Sequence, residues 1–116
     1  MNLYHCFIEL KRDTKALAFA QALEAWMTHL KEAGKIGSWR LLRRKMALSS
    51  DSHGDFMLEI EVTDLAALDQ AFRHVSSQSI EVAELFNAVH QMIAESRAGL
   101  YRPFPDPERA ERVALI

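Results

Sequence analysis

Phe56-Met57-Leu58-Glu59-Ile60-Glu61-Val62 alternates at every step: Phe56, Leu58, Ile60 and Val62 form an apolar row, and Met57, Glu59 and Glu61 form a mixed one. A period of two over seven residues predicts a strand with one face on a core and the other face elsewhere. Upstream, Leu3 to Leu10 repeats the pattern, with Tyr4, Cys6, Ile8 and Leu10 on the core row and Leu3, His5, Phe7 and Glu9 on the other. Between the two, Asp13 is placed to cap a helix running to about Ala33, with a stripe of Ala16, Phe19, Ala20, Leu23, Met27 and Leu30 and Gly34 as its stop. Ile36 to Leu48 reads as a second strand, and Ser49 to Asp55 as a polar hairpin loop.

Beyond Val62, Thr63 or Asp64 caps a helix with the stripe Leu65, Leu68, Phe72 and Val75, broken over Ser76 to Ser79. A further helix is expected from about Ile80 to Arg97, with Val82, Leu85, Phe86, Val89 and Ile93 inward and Gly99 as its stop. Leu100 to Phe104, bounded by Pro103 and Pro105, then fits a short edge strand. The order predicts an α+β domain over residues 1–105, an antiparallel four-stranded sheet with helices on one face. Residues 106–116 read as a helical tail, capped by Asp106 with Pro107 at its first position, docking on the domain or on a partner subunit.

At 116 residues, 49% hydrophobic and 26% charged, the chain has the balance of one ordinary globular domain. A net charge of −2 argues against general nucleic-acid or anionic-membrane binding, which rest on a basic surface field. Cys6 is the single cysteine and no basic, apolar signal pattern opens the chain, so the expected location is the cytoplasm. The longest unbroken apolar run, Ala16 to Ala20, is too short to span a bilayer.

With the helices on one face, Leu3, His5, Phe7, Glu9, Met57, Glu59 and Glu61 share the bare one. So large a mixed patch marks an interface or a ligand groove. Here the chain resembles the dimeric α+β barrel superfamily over residues 1–104, by element order and face polarity. In that superfamily two ferredoxin-like subunits press their sheets together around a cleft, and members include cofactor-independent monooxygenases, haem-degrading enzymes, lactone isomerases and effector domains. The opening Asn2-Leu3-Tyr4-His5-Cys6 and the ending Leu100-Tyr101-Arg102-Pro103-Phe104-Pro105 also resemble a small bacterial family of unknown function. The haem-degrading pattern pairs an asparagine on the first strand and a tryptophan on the third with a histidine on the next helix. Only His74 fits it, because Asn2 comes too early and Trp39 stands on the second strand.

Among chemistry-bearing residues, His5 beside Glu9 and the strand-three carboxylates is the candidate catalytic group, as general base or ligand hydrogen-bonder; the competing reading pairs it across a dimer interface. Phe7, Trp39, Arg43, Glu59 and Tyr101 are the candidate ligand-binding residues. Alternation sends Trp39, Leu41, Arg43 and Lys45 one way and Arg40, Leu42, Arg44 and Met46 the other. These cations either pair with Glu59 and Glu61 or hold an anionic substrate. RNA-recognition domains share the element order, but Met57, Glu59 and Glu61 put negative charge where bases would stack. Asp51-x-His53-x-Asp55 fails as a calcium loop, with Phe56 at the sixth position and Val62 at the twelfth, and reads as a turn. His29, His74 and His90 lack paired zinc spacing, Cys6 reads as a small buried hydrophobe, and no cofactor or metal motif is present.

The sequence therefore predicts a homodimer through the open sheet face that binds a small organic ligand in a cleft. A cofactor-independent oxidation or isomerisation is compatible with this inventory, and the alternative is a structural or regulatory dimer whose facing sheets leave no cavity.

Overall fold

In the computed structural model, which describes residues 2–45, 54–64, 66–67, 69–70, 73 and 80–105, four antiparallel strands form one sheet. They are β1 (Asn2–Leu10), β2 (Trp39–Arg43), β3 (Phe56–Val62) and β4 (Ile93–Tyr101), in the spatial order β2-β3-β1-β4. Helices α1 (Ala16–Glu32) and α2 (Ile80–His90) pack against each other over one face. Ala66, Ala67, Asp69, Gln70 and Arg73 are also helical, and Asp64 caps them by accepting the Ala67 N–H at 2.8 Å. The expected tail, residues 106–116, and the haem-pattern His74 lie outside the described residues.

The two rows of β1 and β3 fall as their alternation predicts. Tyr4, Cys6 and Ile8 pair with Ile60, Leu58 and Phe56, while Leu3, His5 and Phe7 pair with Glu61, Glu59 and Met57. Ile8, Phe56, Leu58, Ile60 and Val62 are buried together with Phe19, Leu23, Trp26, Met27 and Leu30 of α1 and Val82 and Val89 of α2. Trp26 belongs to this core although it is not part of the predicted stripe.

Three boundaries differ from the sequence reading. Asp13 does not cap α1. It sits in a turn at φ 67°, which a short polar side chain tolerates, and the helix starts at Ala16 without a side-chain cap. The second strand is shorter, Trp39–Arg43, and Ile36 ahead of it is buried in the core. The helix from Ile80 stops at His90, and Ile93–Tyr101 is the whole of β4, paired with β1 from Leu3↔Tyr101 to Glu9↔Glu95. Ala94, Glu95 and Arg97 favour helix in isolation, but the open edge of β1 supplies a full ladder of hydrogen bonds that a longer helix would leave unmade. A register shift at Glu9/Leu10 pairs Leu10 with Ile93.

Two glycines are required by geometry. Gly34 closes α1 at φ 73°. Gly54 lies so close to β1 that a Cβ there would meet Ile8 O at 2.5 Å.

Candidate functional site

The sheet's two faces carry different chemistry. On the open face, the register brings His5 opposite Glu59 and Glu59 opposite Arg40. His5 Nε2 lies 2.8 Å from Glu59 Oε2, and Arg40 Nε donates to Glu59 Oε1 at 3.0 Å. The hydrogen bonds from His5 and Arg40 hold the Glu59 carboxyl below the usual carboxylate range. The Tyr101 ring is tilted over His5, centroids 5.1 Å apart, and Ser38 Oγ donates to Glu61 at 2.8 Å. His5, Glu59 and Tyr101 are thus brought together, with Phe7 on the same face.

Trp39 and Arg43 are not. β2 pairs Trp39 with Ile60 and Arg43 with Phe56, so both stand on the helix-side row, and the cation that reaches the His5 cluster is Arg40. The two rows of β2 are nearly equal in hydrophobicity, and its orientation is imposed by β3. Trp39 packs against the core, and the Arg43 guanidinium lies 5.8 Å from the Phe56 ring centroid.

The second region is a cavity of about 470 Å³ between the sheet and the helices. Its walls are mostly apolar, including Leu23, Trp26, Met27 and Leu30 of α1 and Leu58 and Ile60 of β3. Among the described residues, four polar side chains interrupt that lining: Tyr4, Cys6, Ser96 and His90. Burial pushes the Cys6 thiol up, against a hydrogen bond with Ser96 that lowers it. Burial, and next the neighbouring Cys6, push the Tyr4 phenol up. Both groups are therefore neutral donors at neutral pH. His90 stacks on Phe86 at 3.7 Å and donates Nδ1–H to the Phe86 carbonyl, 2.9 Å away, so that Nε2 carries the lone pair of the neutral ring.

None of these four stands out in the sequence as a ligand contact. Tyr4 and Cys6 lie on a row that reads as pure core, and Ser96 faces the cavity only because residues 93–101 are a strand. Of the Asp51/His53/Asp55 motif, Asp51 and His53 lie outside the described residues; Asp55 accepts the Leu10 N–H at 3.1 Å.

This architecture can be set beside known proteins. A family of unknown function, DUF6614, matches residues 1–116. The chain belongs to this family. Among solved structures, the DUF6614 chain is similar to a dabb family protein with a ferredoxin-like fold from Mesorhizobium loti, with a TM-score of 0.64 at 16% identity over 89% of this chain and 96% of that one. It is similar to a dimeric ferredoxin-like protein of unknown function from Jannaschia sp. CCS1, with a TM-score of 0.63 at 14% identity over 89% and 100%. It is likewise similar to a mutant of SnoaB, a cofactor-independent oxygenase from Streptomyces nogalater, with a TM-score of 0.61 at 14% identity over 89% and 91%. At these identities the likeness is one of fold, the ferredoxin-like fold. No curated protein sequence matches the chain.

Proposed function

We propose that this protein is a homodimer, joined through its open sheet faces, that binds a small and largely apolar organic molecule in the cavity between sheet and helices. The cavity carries the reading. A space of about 470 Å³ with apolar walls and a few convergent polar groups has the size and lining of a small-molecule site. Tyr4 and Ser96 would orient a carbonyl or hydroxyl of the ligand, and Leu23, Met27 and Leu58 would cover its carbon frame.

The ligand therefore belongs on the helix side of the sheet rather than beside His5, as the sequence suggested. On the open face Glu59 is already engaged by His5 and Arg40, and the His5–Glu59 pair is largely covered within a single chain. Leu3, Phe7, Leu42 and Met57 lie around it on the same face together with Glu61 and the Arg97–Glu95 ion pair, giving a mixed surface with a satisfied polar centre. Such a surface suits a second copy of this chain, and the Jannaschia relative is itself described as dimeric.

A catalytic reading is favoured by one observation, the His90 imidazole at the cavity wall. In that reading Nε2 takes a proton from the bound substrate, the step that opens a cofactor-independent oxidation or an isomerisation. SnoaB, with the same fold, is a cofactor-independent oxygenase.

The test fills the cavity. Cys6→Phe places a ring in the space; the variant is expected to stay folded and dimeric while losing uptake of an apolar fluorescent probe that the wild type binds. Equal probe binding by both proteins would place the site elsewhere.

A further inference from the structure

One end of the sheet collects positive charge that neither the cavity nor the open face uses. β1 ends at Leu10 and is followed by Lys11, and β2 ends with Arg43 followed by Arg44. β3 joins the two, because Phe56 pairs with Ile8 on one side and with Arg43 on the other, and the Arg44 N–H donates to the Asp55 carbonyl at 2.9 Å. The chain turns back after Lys11, with Thr14 N–H donating to the Lys11 carbonyl at 3.1 Å. Lys11, Thr14, Arg43 and Arg44 thereby line one pocket of about 380 Å³, with Asp55 and Phe56 also in its wall. This pocket is separate from the apolar cavity, which shares none of these residues.

Among the described residues that line the pocket, Lys11, Arg43 and Arg44 stand against one carboxylate, Asp55. Asp55 has prior commitments: one oxygen accepts the Leu10 N–H, and the other lies 3.8 Å from Arg44 Nη2. No carboxylate pairs with Lys11 or Arg43 among the described residues. The Arg43 guanidinium is instead steadied over the Phe56 ring, an arrangement that leaves its in-plane N–H donors available. In a chain of net charge −2 this concentration is not a consequence of overall composition.

We propose that this pocket binds the phosphate group of a small phosphorylated molecule. Lys11 and Arg43, with the Thr14 hydroxyl beside them, supply donors that Asp55, already held by the Leu10 N–H and next to Arg44, does not engage. A tetrahedral dianion presents acceptor oxygens in several directions and suits converging guanidinium and ammonium groups. The pocket has room for an organic group beside the phosphate.

Inorganic phosphate and glycerol 3-phosphate titrated into the full chain at constant ionic strength, followed by the backbone amide shifts of Lys11, Thr14 and Arg44, test this. Saturable shifts confined to these residues are expected, with Lys11→Gln and Arg43→Gln each weakening binding by roughly tenfold or more. Asp55→Asn, which keeps an oxygen for the Leu10 N–H and removes the opposing charge, should tighten it. Lys31→Gln, at the other end of α1, removes the same charge and should change nothing. Tighter binding of glycerol 3-phosphate assigns an organic phosphate; equal binding assigns the free anion. Absence of saturation, or equal weakening by Lys31→Gln, would overturn the site.

Discussion

Glu59 accepts hydrogen bonds from His5 and Arg40, and these hold its carboxyl below the ordinary carboxylate value. A folded-state value that is depressed adds stability above the unfolded carboxylate pKa, and that contribution disappears as pH falls through the folded value. Glu59→Gln should therefore lower the thermal midpoint at neutral pH and flatten its fall on the acid side; parallel acid limbs in wild type and variant would contradict this role. Gly54 gives a second residue-scale prediction. A methyl at this position would press on Ile8 O and Ile8 C at 2.5 and 2.8 Å, and backbone cannot swing aside as a side-chain end can. Gly54→Ala should cost about 1–3 kcal/mol in urea denaturation. Asn2 follows the same logic of satisfied groups: it is buried, yet its amide donates to the Thr63 carbonyl and accepts from Arg102, tying the end of β4 to the start of β1.

At the scale of elements, β1 and β3 are legible in the sequence because their two rows differ sharply in polarity, so alternation alone assigns each residue to a face. β2 is not, since Trp39 and Leu41 on one row face Leu42 on the other with an arginine on each. Only pairing with β3 decides that Arg40, and not Arg43, meets Glu59. β4 is hidden for a different reason: residues 93–98 are as acceptable to a helix as to a strand, and the deciding interaction is the long-range ladder to β1. The cavity inherits the second of these gaps, because Ser96 reaches it from β4. α1 follows its apolar stripe apart from its start and Trp26. Phe19 on this helix is wholly buried, its ring 5.3 Å from that of Phe56. Phe19→Ala is expected to cost about 3–5 kcal/mol, measured by denaturant midpoint, since the rigid sheet beneath cannot collapse into the space.

At the scale of the whole molecule, one sheet presents two different faces. Its helix-side face holds a cavity, and its open face presents apolar side chains and an Arg97–Glu95 ion pair around the Arg40–Glu59–His5 cluster. No helix among the described residues is long and apolar enough to cross a membrane. Assembly and ligand binding should therefore respond to different substitutions. Phe7→Glu, which sets a charge in the middle of the open face, should produce a monomer in analytical ultracentrifugation while probe uptake by the cavity persists. Cys6→Phe should do the reverse. The most direct measurement is a gentle native mass spectrum of the wild-type chain purified from its own cells and then offered an apolar probe. The account predicts the mass of two chains carrying either a retained small molecule or the probe, with that added mass absent from Cys6→Phe. A monomer, or a dimer that carries nothing and takes up none of the probe, would contradict it.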